Sequence, residues 1–166
     1  MNIKKWLALA LACLLILSAS ALAEGGTEVG DAAPDFELTT LTGETFKLSE
    51  QQGKVVYVNI WATWCPPCVG EMPDIQRLQE AHPDDLVVIG ASVDDAIDTV
   101  SGFIEENGYT YAIAMDEGYR LAGQIFPTMY IPETVFITPD GVVSSIDYGA
   151  VSYEDMEARY QAALGQ

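Results

Sequence analysis

A chain of 166 residues with 49% hydrophobic composition can bury one good core and is short for two, so a single domain is expected. Lysine and arginine total 7 against 25 acidic residues; with Lys4 and Lys5 set aside in a leader, 5 remain against 25, about −20, which argues against nucleic acid or anionic lipid as a partner. Such a charge either coats an exported protein for solubility or steers it toward a basic partner.

Lys4 and Lys5 open the chain and are followed by an apolar run from Trp6 to Leu17. Ala21-Leu22-Ala23 then offers small residues of the kind a signal peptidase reads, so residues 1–23 are expected to be a signal peptide. Two other readings stay open. Trp6 to Ala23 is long enough, at about 18 residues, to remain as a membrane anchor, and Cys13 after Ala10-Leu11-Ala12 resembles a lipidation site, although Leu14 to Leu17 would leave an apolar stretch beyond it. All three export the domain. Residues 24–30, small and polar, read as a linker, and 31–166 as the folded domain.

Phe36-Glu37-Leu38 and Phe46-Lys47-Leu48 flank Thr42-Gly43-Glu44 and predict a hairpin entering a short helix over Leu48 to Gln52. Lys54 to Trp61 (KVVYVNIW) is β-branched and aromatic, the pattern of a central strand covered on both faces. Val69, Met72, Ile75 and Leu78 recur at near-helical spacing from Pro66 to Ala81, with Pro73 expected to kink the helix. Leu86 to Val93 predicts a second buried strand, Ile97 to Asn107 a helix ending at Gly108, Tyr111 to Met115 a strand and Tyr119 to Ile125 a short helix. Thr134 to Ile137 and Val142 to Asp147 form a hairpin turned by Pro139-Asp140-Gly141, and Ser152 with Asp155 opens a last helix to about Leu164. This order describes an α/β protein with a mixed central β-sheet, helices on both of its faces and an N-terminal β-hairpin.

With Cys13 in the leader, Cys65 and Cys68 remain. One close pair is too few to staple a fold that has a core, and a disulfide closing so small a loop adds little stability. A tetrahedral structural zinc site needs four ligands, against two cysteines and one histidine, and His82 is accounted for by the C-terminal dipole of its helix. Redox chemistry is the better reading. Cys65 falls where a strand hands over to a helix, whose free N–H groups and partial positive charge favour thiolate. Pro66 and Pro67 stiffen the turn, and Cys68 follows one turn on the same face, placed to resolve a mixed disulfide begun by Cys65.

Val58 to Cys68 (VNIWATWCPPC) with Glu71-Met72-Pro73, the opening Gly30 to Phe36, and Ile131-Pro132-Glu133-Thr134-Val135-Phe136-Ile137 before Pro139-Asp140-Gly141 together resemble the TlpA/ResA-type thioredoxin-like oxidoreductases. The match runs from about Val29 to the C-terminus. It implies a thioredoxin fold facing outward from the cell, exchanging dithiol for disulfide with exported proteins through the redox-active pair, with no other cofactor and no metal. It also implies a membrane electron donor of the DsbD/CcdA type, a monomeric state, and work in cytochrome c maturation or in the repair of exported proteins. Pro132 would be the cis proline beside the cysteines, exposing the backbone of Ile131 for a bound polypeptide to pair with as an added strand. Trp64, with Pro66 and Pro67, would form the docking rim, and Trp61 would be core. Glu71, matched by a glutamate in relatives, would relay a proton to Cys68, the competing reading being a solvated helix face. Asn59 stands where cytoplasmic thioredoxins carry a buried acid, and Glu133 stands where relatives commonly carry threonine.

Two rival functions share the fold. The Pro34-Asp35-Phe36 opening also occurs in peroxiredoxins, but neither Arg77 nor Arg120 is marked as the arginine such a peroxidase needs. A copper-binding chaperone would use both thiolates, yet it would expect a wider cysteine spacing and a distal histidine elsewhere than His82.

Overall fold

The structure, a computed structural model, describes residues 28–165. The leader, Cys13 and the linker as far as Thr27 lie outside the described residues. Among those described, no helix is long and apolar enough to cross a membrane.

The central sheet is built on β3 (Val55–Trp61), all seven residues of which are buried, as a run of valines, isoleucine and aromatics requires. It pairs in parallel with β4 (Leu86–Ser92), from Val55 opposite Leu86 to Trp61 opposite Ser92, and antiparallel with β6 (Glu133–Ile137), from Val56 opposite Ile137 to Ile60 opposite Glu133. With β5 (Ala112–Met115) and β7 (Val143–Tyr148) the sheet runs in the order β5-β4-β3-β6-β7. The N-terminal hairpin, β1 (Glu37–Thr39) with β2 (Thr45–Lys47), forms its own two-stranded sheet and reaches β5 through a bridge between Thr40 and Ala114. This is the thioredoxin fold with an N-terminal extension.

Helix α1 (Pro66–Ala81) links β3 to β4, and α2 (Ile97–Asn107) links β4 to β5. Both crossovers step the same way across the sheet, so right-handed connections place both helices on one face. The last helix, α3 (Tyr153–Leu164), joins them there: His82, the C-cap of α1, has its Nε2 2.9 Å from Glu157 and stacks on Tyr160. Among the described residues no α-helix covers the opposite face; a π-helical turn, Leu121–Ile125, and the N-terminal segment lie there, where Phe36 stacks on Phe46 and meets Phe126 edge-on. The expected helix there is thus one turn, and the helices sit mainly on one face. Pro73 lies inside an unbroken α1 with its ring exposed.

The chain before β1 is fixed earlier than the sequence implies. The Gly30 N–H donates to the Val143 carbonyl at 2.8 Å and the Val143 N–H to the Asp31 carbonyl at 2.9 Å, so the segment is already paired to the edge strand β7.

Gly90 on β4 lies beside Asn59 of β3. A Cβ there would come 2.7 Å from Ile113 Cδ1 and 3.1 Å from Trp61 Nε1. Gly90→Ala should therefore destabilise by about 1–3 kcal/mol through overpacking, read as a lower urea midpoint at an unchanged slope. Gly102→Ala, on open surface in α2, should instead gain up to about 1 kcal/mol.

Candidate active site

β3 ends at Trp61, and the chain turns once before α1 begins. Thr63 fixes that turn: its N–H donates to Asp94 Oδ2 at 2.9 Å and its hydroxyl to Asp94 Oδ1 at 2.6 Å, while Ser92 at the end of β4 donates its hydroxyl to the same carboxylate. Asp94 was not singled out in the sequence, although an acid directly after a buried strand, at the sheet end where Cys65 falls, was a signal for it.

Cys65 is the N-cap of α1, its side chain standing where an oxygen acceptor usually does. The backbone N–H of Cys68 donates to Cys65 Sγ at 3.3 Å, and the two cysteines form a disulfide. Pro66 and Pro67 take the first two helical positions, where a missing N–H costs no hydrogen bond, and both rings are exposed. Cys68 is fully buried, whereas Cys65 keeps a sliver of surface. The Ile131–Pro132 peptide bond is cis, and the Ile131 carbonyl oxygen lies 3.7 Å from Cys65 Sγ. The cysteine pair and the Ile131-Pro132 segment, 66 residues apart, thus form one surface. Trp61 is core, tilted against Phe103 at 5.7 Å.

Around this surface, Trp64 is 66% exposed, Met129 91% and Tyr130 73%. Thr128 holds the second ledge, its hydroxyl donating to the Tyr130 carbonyl at 2.7 Å and accepting the Tyr130 N–H at 3.1 Å. Met129 and Tyr130 escaped the sequence reading, although two large apolar residues in a loop just before Ile131-Pro132 pointed to them.

Glu71 is turned inward from α1 and is 3% exposed, so it does not belong to a solvated helix face. Asn59 Nδ2 donates to its Oε1 at 2.9 Å and the Val151 N–H to its Oε2 at 2.8 Å. Burial outweighs these two hydrogen bonds and pushes its pKa up to about 7. The network continues from Asn59 to Thr134 Oγ1 at 3.4 Å and from there to the Tyr57 hydroxyl at 3.2 Å, and burial with the Glu71 charge holds that phenol well above its usual range. On the other face of the sheet Glu133 is also buried, and burial pushes it up to about 7, the nearby Thr128 offsetting only part of the rise.

Among the described residues, no group of three or more histidine, cysteine, aspartate or glutamate side chains could hold a metal ion. His82 caps the far end of the 16-residue α1, about 25 Å from Cys65 at 1.5 Å per residue, so the two thiols and His82 do not share a copper site.

The Redoxin family model matches residues 28–164. YneN, a thioredoxin-like protein of Bacillus subtilis, is 32% identical over 167 residues, covering 95% of this chain and 97% of its own. The thiol-disulfide oxidoreductase ResA of Oceanobacillus iheyensis is 36% identical over 134 residues, covering 78% of this chain and 69% of its own. Among solved structures, a thiol:disulfide interchange protein of the thioredoxin family from Chlorobium tepidum superposes with a TM-score of 0.74 at 29% identity, covering 83% of this chain and 99% of the other.

Glu71 and Glu133 are raised from an ordinary 4.5 to about 7, so each binds its proton more tightly folded than unfolded. That stabilisation is complete below pH 4.5 and is lost as pH rises through 7; the shift is worth of order 3 kcal/mol for each group. Unfolding free energy in urea should fall between pH 4.5 and 8, and Glu71→Gln and Glu133→Gln should each flatten the fall. A pH-independent wild-type curve would contradict the assignment.

Proposed function

The chain belongs to the Redoxin family and, within it, to the TlpA/ResA-type thiol-disulfide oxidoreductases with a Cys-x-x-Cys pair; from that premise we propose that it works outside the cytoplasm as a reductase of exported protein disulfides. Cys65 is the attacking sulfur and Cys68 the resolving one. The observation that carries this reading is the seat of Cys65 Sγ: it accepts the Cys68 N–H at the mouth of α1 and lies 3.7 Å from the Ile131 carbonyl beside the cis proline. In the reduced protein the same N–H and the helix N-terminus would favour the Cys65 thiolate.

Attack by that thiolate forms a bond to one sulfur of the partner's disulfide and expels the other as a thiolate, which takes a proton. The Cys68 thiol then gives its proton to the Glu71 carboxylate and attacks Cys65 Sγ. This closes the Cys65–Cys68 bond and expels the second partner sulfur. Two electrons pass to the partner; its second sulfur takes the proton back from Glu71, its first takes one from solvent, and Glu71 is left as carboxylate again. Glu71, one turn beyond Cys68 and with a pKa near neutrality, is suited to that exchange. Trp64, Pro66, Pro67 and Ile131 form the rim that meets the partner polypeptide beside Pro132, and Met129 and Tyr130 extend it.

The reductant that regenerates the dithiol is a membrane donor of the DsbD/CcdA type, and exported proteins, apocytochromes c among them, are the substrates. Direction depends on potential. A couple near −270 mV against glutathione supports reduction, and one near −120 mV would mark an oxidant.

Cys65→Ser should abolish reduction of insulin disulfides, while Cys68→Ser should accumulate a stable mixed disulfide at Cys65. Trp64→Ala and Tyr130→Ala should each cost about 1 kcal/mol of docking, roughly a fivefold rise in KM at little change in kcat. Disulfide exchange by Cys65→Ser at the native rate, or consumption of hydrogen peroxide in place of insulin disulfides, would defeat this reading.

A further inference from the structure

The thiol chemistry above makes no use of Glu133, the residue directly after the cis proline. It opens β6, two residues beyond the carbonyl that lies against Cys65 Sγ. In register it stands between Ile60 of β3 and Tyr148 of β7. Its neighbour Thr134 turns to the face of Asn59 and Glu71, so by the alternation of a strand Glu133 occupies the other face. The cysteine pair therefore lies over a sheet end with one buried carboxyl under each face.

Glu133 is 1% exposed, and its Oε2 has no hydrogen-bond partner. β3 presents it with Ile60, which cannot ionise, and β7 with the exposed Tyr148. The preceding loop brings Thr128 near it, and two residues before it the Ile131 carbonyl lies 3.7 Å from Cys65 Sγ. Among the described residues no salt bridge reaches it; Asp147, the next acid on β7, is opposite Thr134 and is held by Arg159. A central strand ordinarily fills such a position with an apolar or β-branched side chain, and a buried carboxyl with an oxygen unpaired is costly. Structure alone gives no return for that cost.

We propose that Glu133 is a positioning residue for Cys65, its charge setting from the face opposite Glu71 what fraction of the thiol is ionised. The proposal rests on the reading that Cys65 is the attacking sulfur. In the reduced protein the two groups share one proton and one negative charge, as either Cys65 thiol with Glu133 carboxylate or Cys65 thiolate with Glu133 acid. Attack forms the bond from Cys65 Sγ to the partner sulfur and breaks the partner's disulfide, whose electron pair leaves with the second sulfur. That sulfur takes up a proton, and Glu133, no longer beside a charged sulfur, can release its own. A pKa near 7 lets this exchange occur around neutral pH.

The test is the rate of iodoacetamide alkylation of the reduced protein from pH 4 to 9, with the modified cysteine identified by mass spectrometry, together with the equilibrium against glutathione. The wild type should show two inflections at Cys65. Glu133→Gln should show one, about a unit lower, and should favour the dithiol about tenfold, equivalent to about 30 mV in the oxidising direction. Glu133→Asp should restore two inflections. Should Glu133→Gln fail to fold, Glu133→Thr, which suits a central strand, carries the same expectation. A folded Glu133→Gln or Glu133→Thr protein whose profile and glutathione equilibrium match the wild type overturns the proposal alone. Alkylation at Cys68 in preference to Cys65 overturns the attacking role and the proposal with it.

Discussion

The hydrogen bond from the Cys68 N–H to Cys65 Sγ exists because β3 stops at Trp61 and a helix starts at Pro66, with Cys65 as the cap between them. Move that junction by one residue and the sulfur no longer stands at the mouth of the helix. The fold invests heavily in holding it. β3 is sealed on both faces, so its register against β4 and β6 cannot slip without exposing a core face. The turn after it is tied through Thr63 to Asp94 on the neighbouring strand.

A second constraint acts through burial. Asn59 is neutral, so it can donate to Glu71 without fixing a charge in the core, and Glu71 accepts a second hydrogen bond from Val151 just before α3. The carboxyl is thereby held by both β3 and the start of the last helix. A salt bridge would have kept it ionised at all ordinary pH; two neutral donors leave it near the balance point. The site is thus built from geometry that holds the acids still and an environment that leaves their protons mobile.

Much of this was legible in the sequence, for physical reasons that differ from residue to residue. The run from Val55 to Trp61 could only be a strand buried on both sides, and Pro66 after Cys65 could only open a helix. The cis bond before Pro132 was legible through family resemblance and not through periodicity, since no spacing rule distinguishes a cis from a trans proline entering a strand. Glu71 defeated pattern reading because charge predicts exposure, whereas its inward orientation depends on Asn59 and Val151, 12 and 80 residues away. Asp94, Met129 and Tyr130 act through loops whose proximity to the cysteines is a property of sheet order. The shared face of α1 and α2 follows from both crossovers stepping in one direction, which the element order leaves undetermined.

The pairing of Gly30 and Asp31 with Val143 has a geometric corollary. Val143 begins β7 at the end of the sheet where β6 finishes, whereas Cys65 lies past the end of β3, where β6 begins. Seven residues of β3 at about 3.3 Å each separate these poles by roughly 20 Å. Whatever precedes Glu28 therefore joins the domain at its base and leaves the sulfur at the summit. The backbone of Gly30 and Asp31 also closes part of an edge that would otherwise invite a stray strand, at the pole remote from the reactive sulfur.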